Sequence, residues 1–441
     1  MKFIADFHIH SKFSRATSKD MDLENIDRWA RIKGIKLMGT SDFTHPLWFK
    51  ELKSKLEPAE PGFFKLKAKN VKPKVNNGWE LINNNGISKE NRTRFILTSE
   101  ISCIYSKNNR TRKVHIIIFT PSFEIVEKIN THLGWIGNLK ADGRPILGLD
   151  AKELAKIVLD ISPECLIVPA HAWTPHFSVF GSESGFDSLK ECFDEYTKYI
   201  YAIETGLSSD PAMNWRLSSL DNITLISNSD SHSLHRFGRE ANVFEGKIFD
   251  YKSIINAIKL GSRAVSDVLR LVETIEFFPE EGKYHYDGHR NCKINFSPQE
   301  SKKHKEICPV CGKPLTIGVM NRVDKLADRE EGFRPKGAIP FRSLIPLEEI
   351  IADAIGTGVG TKGVQKEYKN LVEKFGSEFK ILLEASQKEI EAASSGEIAE
   401  GIARVREGRV KIVPGYDGEY GKIQIFGEGE QKKLSKQTSL F

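Results

Sequence analysis

The feature that most constrains this chain is a pattern over residues 2–275, in which short β-rich apolar runs alternate with helical patterns. Strands that alternate with helices indicate parallel sheet with crossover connections, so seven such runs predict a distorted (β/α) barrel. The predicted strands are 3–7, 35–38, 95–97, 114–119, 166–168, 200–203 and 223–226. The helical patterns between them include 23–33, 151–160, 188–196 and 251–260.

Histidines and carboxylates lie beside most of the predicted strands. Active sites of α/β barrels lie at the carboxyl ends of the strands, so these side chains are expected to meet at one rim. Zinc, manganese and iron bind His nitrogen and carboxylate oxygen, and two histidines that alternate on one strand point to the same face. The pattern therefore predicts a metal site in which one carboxylate bridges two ions. The candidate residues are His8, His10, Asp42, His45, Glu100, His115, His171, Glu204, Asp230 and His232.

Length and composition set the class of protein. A chain of 441 residues is expected to form two or three domains, and 39% hydrophobic with 28% charged residues is typical of a globular protein. No apolar run approaches the ~18 residues of a membrane span, and the polar N-terminus predicts a cytoplasmic protein without a membrane partner. The net charge of +6 permits a polyanionic partner without requiring one.

A group of cysteines near residue 300 predicts a second kind of metal site. Cys308-x-x-Cys311 follows His289-x-x-Cys292 after fifteen residues, a spacing that suits one tetrahedral structural zinc. His285 and His304 are alternatives to His289 as the fourth ligand. Lysines around this module, such as Lys302, Lys303 and Lys313, are either a DNA-backbone contact or an ordinary solvated surface.

The C-terminal part changes character. Residues 350–368 read as helix, glycine-rich turn and helix, with Gly356, Gly358 and Gly360 in the turn, and a later helical stretch resembles its second half. Such a helix-hairpin-helix offers backbone N–H groups to a phosphate. The predicted domains are 1–278, catalytic barrel; 279–330, zinc module; 331–426, helical DNA-binding domain; and 427–441, a tail. Within this tail KQTSLF resembles the front of a sliding-clamp-binding motif, with Gln437 and Leu440 in place.

Several segments resemble the polymerase-and-histidinol-phosphatase (PHP) family: DFHIHSKFSRAT, GTSDFTHP, SEIS, PAHAW and NSDSH. The resemblance implies a PHP barrel with two or three divalent cations, zinc, manganese or magnesium. It implies one ion on His8, His10, Glu100 and Asp230, a second on Glu100, His115 and His171, and a third on His232 with Asp42 or His45. Glu100, His171 and Asp230 would be the catalytic residues. The chain departs from the family at Ala16, where an acidic residue is usual, and at Asp42-Phe43, where Asp-His is usual.

A more specific resemblance, to endonuclease Q, rests on GTSDFTHP, YAIETGLSSDPAMNWR, NSDSHS and KYHYDGHRNC. It implies a DNA repair endonuclease that uses metal-activated water to cut 5′ to deaminated bases (uracil, hypoxanthine, xanthine) and to abasic sites. Damaged DNA would be the substrate, and the damaged nucleotide would turn out of the base stack into a pocket. Candidates for contacts to base or phosphate are Trp48, Trp79, Trp173, Phe177, Arg110 and Arg112.

Two alternatives share part of this pattern. A PHP phosphatase acting on small phosphate monoesters has the same metal site, but it needs neither the zinc module nor the helical domain. A non-catalytic DNA-binding protein would keep those modules and lack an active-site metal, which the absent acid at Ala16 allows. Metal content and cutting of uracil-containing DNA separate these hypotheses.

Overall fold

The structure is a computed structural model that describes residues 1–70, 92–264, 268–427 and 430. Its strands are β1 Lys2–Asp6, β2 Ile35–Gly39, β3 Leu56–Pro58, β4 Phe64–Leu66, β5 Arg94–Lys107, β6 Arg110–Thr120, β7 Ile146–Leu147, β8 Leu166–Pro169, β9 Ala202–Glu204, β10 Thr224–Ile226, β11 Ala241–Gly246, β12 Leu269–Glu276, β13 Asp287–His289, β14 Ile294–Phe296, β15 Phe341–Ser343, β16 Lys411–Val413 and β17 Lys422–Gln424. Its helices are α1 Leu23–Lys33, α2 Pro46–Lys55, α3 Phe123–Ile136, α4 Ala151–Ile161, α5 Leu189–Phe193, α6 Pro211–Asn214, α7 Tyr251–Leu260, α8 Pro298–Lys303, α9 Val319–Leu326, α10 Leu347–Ile355, α11 Lys362–Phe375, α12 Glu378–Leu383, α13 Gln387–Ala393 and α14 Gly396–Arg406. Among the described helices, none is both long enough and apolar enough to span a bilayer.

One large mixed sheet forms the centre of the molecule. β1 pairs parallel to β2 and β2 parallel to β5, whereas β11 runs antiparallel to both β1 and β12. β6 is antiparallel to β5 on one side and to β8 on the other. The prediction of parallel pairing throughout is therefore wrong, although the mixed α/β class is confirmed.

The physical reason for this error is a long hairpin. Residues 107–113, which read as a basic loop, instead contain the turn and the first part of β6. Asn108 and Asn109 form the turn with φ of 55° and 56°, and a two-residue turn with both φ positive matches the twist of the paired strands. The two apolar runs are thus the arms of one hairpin and need no helical crossover between them.

β9 and β10 form a separate parallel pair beside the central sheet. After β10 the chain returns to the sheet, where Ser231 forms a parallel bridge with Ile9 and its carbonyl accepts a hydrogen bond from the His10 backbone N–H at 2.8 Å. This return brings the segment after β10 beside the end of β1.

Helix positions follow local sequence signals. α1 begins after Asp22, whose side chain accepts a hydrogen bond from the Asn25 backbone N–H, and it ends at Gly34 in the left-handed region. The buried face of α1 includes Leu23, Ile26 and Trp29. The predicted bounds 23–33 and 251–260 coincide with α1 and α7, so these two predictions are confirmed.

The C-terminal helices pack on the central domain. Ser377 and Phe379 lie against the turns at Gly34 and Gly238, which places α12 beside α1. The region predicted as helical also contributes β15 to the central sheet, parallel to β12. The hairpin β16–β17 lies beside the cysteine-containing region, where the Tyr286 backbone N–H donates to the Gly415 carbonyl.

Candidate active site and metal centre

His8 and His10 lie where the chain continues extended beyond β1. His8 and His10 alternate with the fully buried Phe7 and Ile9, and the ring centroids of the two histidines lie 5.3 Å apart. The Phe7 backbone N–H donates to Asn228 Oδ1 at 2.9 Å. These contacts hold both imidazoles at one end of the sheet.

Glu100 and His115 come from the two arms of the β5–β6 hairpin. Ser102 stands opposite His115, and Glu100 is two residues from Ser102, so Glu100 and His115 are diagonal neighbours on one face. His115 Nδ1 lies 2.7 Å from Glu100 Oε1. The antiparallel pairing that the sequence did not predict is therefore what brings these two residues together.

His171 and Asp230 complete the group from loops after β8 and β10. Both have left-handed backbone, with φ of 29° and 45°, and such conformations of non-glycine residues are concentrated at functional sites. Gly206 makes room for His171, because a Cβ at Gly206 would lie 2.5 Å from the Cβ of His171.

The donor atoms of these residues form two adjoining clusters, each within 4.8 Å: His8, His10 and Asp230 in one, and Glu100, His115 and His171 in the other. Glu100 joins them, because its Oε1 lies 3.2 Å from His171 Nε2 and its Oε2 lies 3.4 Å from His10 Nε2. His8 Nε2 is buried and has no hydrogen-bond partner among the described residues. Converging nitrogens and carboxylates with an unpartnered buried nitrogen fit the donor set that divalent transition metals prefer.

Burial and charge shift the pKa values of the two N-terminal histidines. Burial lowers the pKa of His8, but the carboxylates of Glu204, Glu100 and Asp230 raise it well above the ordinary value. The pKa of His10 is lowered by burial and raised by Asp230 and Asp42, with a net value of about 9. Without a cation, the surrounding carboxylates therefore favour the doubly protonated, charged form of both rings.

We expect metal binding to release protons at pH 7, because a cation binds only neutral imidazole and displaces the protons on His8 and His10. The proton release from His10 should decrease as the pH rises through about 9, the pKa of His10, and the affinity should increase over the same range. Calorimetric titration of chelator-treated protein with Mn²⁺, in buffers of different ionisation enthalpy, measures the proton count. A heat that does not depend on the buffer would contradict this expectation.

Glu204 lies beside the two donor clusters and contacts residues of both. Its Oε1 lies 3.0 Å from His8 Nδ1, and its Oε2 accepts the backbone N–H of His171 at 2.8 Å. Asn228 Nδ2 donates to Glu204 Oε1 at 2.9 Å, and Asn242 Nδ2 donates to Asn228 Oδ1 at 3.0 Å. A carboxylate on Nδ1 keeps the proton there and leaves Nε2 as the metal-binding nitrogen.

Replacing Glu204 with glutamine is expected to weaken metal binding about 10–100-fold, the usual effect of losing a carboxylate that orients a ligand histidine. Equilibrium dialysis with Mn²⁺ measures this change. The matched control is Glu245→Gln, an exposed residue of β11 whose side chain is 53% exposed. Equal affinities of the Glu204 variant and the control would remove Glu204 from this role.

The residues predicted for a third ion lie in other environments. Asp42 Oδ2 accepts hydrogen bonds from Ser11 and Ser14 hydroxyls at 2.6 and 2.8 Å, and its Oδ1 lies 3.4 Å from His10 Nδ1. His45 occupies the N-cap position of α2 without a side-chain capping bond, and it stacks on Phe13 with ring centroids 4.5 Å apart. His232 packs on His10, and its Nδ1 lies 3.9 Å from Asp230 Oδ1. Within the described ranges these residues do not form a third cluster.

The cysteine-containing region brings together the predicted set of four. Donor atoms of His289, Cys292, Cys308 and Cys311 lie within 4.8 Å of one another. Gly312 has φ of 71°, and its N–H donates to the Cys308 carbonyl at 2.9 Å, which closes the turn between the two cysteines. The alternatives lie elsewhere, because His304 stacks on Phe296 and His285 stacks on Tyr286. One His–Cys pair and one Cys–Cys pair that end in a single cluster suit a closed tetrahedral zinc site.

Three of the residues proposed to contact DNA are buried and packed inside the protein. Trp48 and Trp173 are buried, with indole N–H groups bonded to Ser41 O and Asn214 Oδ1 at 2.9 and 2.8 Å. Arg112 is buried and packs on Phe186. Phe177 is half-buried with its ring on His115, and Arg110 is exposed at the hairpin. Trp79 lies outside the described residues, as do Gln437 and Leu440 of the predicted clamp-binding motif.

The glycine-rich turn lies between α10 and α11 and is open to solvent. A Cβ at Gly356, Gly358 or Gly360 would meet no atom within 4 Å. Gly356 has φ of 67° and ends α10. The predicted order of helix, turn and helix is therefore confirmed, and the three glycines leave their backbone accessible at this turn.

Comparisons with known proteins cover different parts of the chain. The family model described as the MJ0043 C-terminal domain matches residues 346–409, which contain α10 to α14. The uncharacterized protein MJ0043 of Methanocaldococcus jannaschii is 35% identical over 265 residues, which are 58% of this chain and 31% of that protein. The uncharacterized protein YqxK of Bacillus subtilis is 28% identical over 96% of this chain and 99% of its own length. This chain thus spans under a third of the first relative and nearly all of the second.

Two solved structures match over nearly the whole chain. The lesion-specific endonuclease PfuEndoQ from Pyrococcus furiosus is similar with a TM-score of 0.82 and 32% identity, over 100% of this chain and 99% of that chain. Endonuclease Q in complex with a 27-mer duplex substrate, with an abasic lesion at the active site, has a TM-score of 0.79 and 32% identity over 97% of this chain and 98% of that chain.

Proposed function

Since this chain belongs to the endonuclease Q family, we propose that it is a DNA repair endonuclease that hydrolyses a phosphodiester beside a damaged nucleotide. The observation that carries the proposal is the pair of donor clusters joined by Glu100. Such a site suits phosphodiester chemistry, which must stabilise the attacking and the leaving oxygen together. Deaminated bases and abasic sites are the proposed lesions, cut on their 5′ side.

We assign His8, His10, Glu100 and Asp230 to one cation, and Glu100, His115 and His171 to a second. When bound, the cations supply Lewis-acid charge and lower the pKa of water. Zinc, manganese and magnesium are the proposed ions, and His289, Cys292, Cys308 and Cys311 would hold a structural zinc. The central sheet and the β9–β10 pair would together form the PHP barrel.

The chain's own residues prepare the site for this reaction. Glu204 fixes the tautomer of His8, and Asp42 supports His10 from the opposite side. The ligand side chains are almost fully buried, except that Asp230 is 24% exposed. Water is thus excluded from all sides but one, and the substrate phosphate would approach beside Asp230 and Arg144, whose side chain is 27% exposed.

A cavity of about 1030 Å³, lined in part by Thr174, Ser208 and Arg239, is the proposed pocket for the flipped nucleotide. Two loops connect the cavity to the donor clusters. In one loop the Thr174 backbone N–H donates to the His171 carbonyl, and in the other the Arg239 side chain donates to the Ser229 carbonyl. His285 also lines the cavity, and its Nδ1 has no partner among the described residues. Burial lowers the pKa of His285 to about 4, so a neutral imidazole is available to a base edge at pH 7.

The test uses end-labelled duplexes that carry uracil, hypoxanthine, an abasic site or no lesion, with and without chelator. We expect a single nick 5′ to each lesion, lost on chelation and restored by Mn²⁺ or Zn²⁺. Equal cutting of undamaged DNA, or no nick with any of these metals, would contradict the proposal.

The phosphatase alternative shares the metal centre and is tested with the same preparation. Turnover of a generic phosphate monoester above the rate of nicking would favour it. Metal content tests the binding-protein alternative, because a non-catalytic protein would retain only the cysteine-bound zinc. The cluster of four donors at Cys308 and the open glycine turn favour a nucleic-acid substrate over a small monoester.

A further inference from the structure

We propose that Arg144 is a phosphate-binding residue of the active site, placed to contact the scissile phosphate. Arg144 Nη1 lies 3.2 Å from Glu100 Oε2, the same oxygen that lies 3.5 Å from His8 Nε2 and 3.4 Å from His10 Nε2. The guanidinium therefore reaches the carboxylate that joins the two donor clusters. It follows no predicted strand, and no pattern in the sequence marks it.

The loop that carries Arg144 is held on both sides. The Arg144 backbone N–H donates to Asp142 Oδ1 at 3.1 Å, and the Gly143 N–H donates to the Phe13 carbonyl at 3.0 Å. The Pro145 carbonyl accepts the backbone N–H of Ser102, two residues from Glu100, at 3.0 Å. Gly143 passes so close to Asp42 that a Cβ there would lie 2.3 Å from Asp42 Oδ2. The arginine is thus held beside the metal ligands by backbone contacts to both ligand-bearing segments.

The chemistry of the side chain suits a phosphate. A guanidinium has five N–H donors in a planar fork. Among the described residues, the Arg144 side chain donates a hydrogen bond to Glu100. The side chain is 27% exposed, next to Asp230 at the open side of the site. Hydrolysis adds negative charge to the non-bridging oxygens of the phosphate, and a fixed cation at that position stabilises the transition state.

This inference rests on the proposed function, and two variants test it. Arg144→Gln removes the charge, whereas Arg144→Lys keeps a charge that can still pair with Glu100. The matched control is Arg270→Gln on β12, whose side chain is 50% exposed. Each metal-loaded protein is measured for bound metal by mass spectrometry, for inorganic phosphate affinity by calorimetry, and for single-turnover nicking of a uracil-containing duplex.

We expect Arg144→Gln to nick about 10²–10³-fold more slowly and to bind phosphate about tenfold more weakly, with bound metal unchanged. Arg144→Lys should recover part of both losses, and Arg270→Gln should match the wild type. Nicking by Arg144→Gln within threefold of wild type, or a loss of activity that follows a loss of metal, would overturn the inference. If the wild type cuts no lesion yet binds phosphate in a manner that depends on Arg144, the proposed substrate fails and the phosphate site stands.

Discussion

Replacing Glu100 with glutamine is expected to reduce lesion-specific nicking by at least about 10³-fold, because bound cations contribute several kcal/mol to the stabilisation of the transition state. Glu100 is the residue shared by both donor clusters, with oxygens 2.7 Å from His115 Nδ1 and 3.4 Å from His10 Nε2. A glutamine of the same shape keeps the packing but loses the charge, and its amide group cannot serve two cations at once.

Two measurements check this prediction. Metal content should fall at the active site while the cysteine-bound zinc remains, and single-turnover nicking should be lost across the metal series. Glu127→Gln is the matched control, since this side chain is 51% exposed on α3. A Glu100→Gln protein that nicks uracil-containing DNA within tenfold of the wild type would refute the proposed metal-dependent mechanism.

The second large effect concerns stability and the attachment of the C-terminal helices. Glu378 at the start of α12 lies 2.6 Å from Lys33 Nζ at the end of α1, and the two side chains are 5% and 3% exposed. The Tyr368 hydroxyl and the Leu347 N–H also donate to this carboxylate, at 2.5 and 3.1 Å. Glu378→Ala leaves the buried Lys33 without this partner, which is expected to cost about 3–5 kcal/mol of the free energy of unfolding.

Thermal denaturation combined with limited proteolysis of the region after residue 346 measures this loss. The double variant Lys33→Met, Glu378→Leu should recover part of the stability, because an apolar pair requires no charge to be buried, while the Tyr368 hydroxyl and the Leu347 N–H still lose their acceptor. As a control, Lys128→Ala breaks an exposed pair with Glu124 on α3 and should leave the melting temperature unchanged. A Glu378→Ala protein as stable as this control would show that the buried pair does not hold the two regions together.

Local signals in the sequence predicted the helices well and the sheet only in part. α1 and α7 match their predicted bounds because a capping residue and a one-sided apolar face act within a few residues of each other. The sheet order was misjudged because strand direction depends on partners far along the chain. β11 and β12, which extend the sheet beyond β1, were not predicted at all.

The candidate metal centre shows the same division. His8, His10, Glu100, His171 and Asp230 were singled out from the sequence, because each lies within a strand or within four residues after one, and short-range patterns predict such positions. The contact of Asp42 with His10, the support of His8 by Glu204 and the approach of Arg144 to Glu100 were decided by tertiary structure alone. These contacts join segments 32 to 196 residues apart. They depend on how the loops pack against the sheet, and short-range periodicity in the sequence carries no information on that packing.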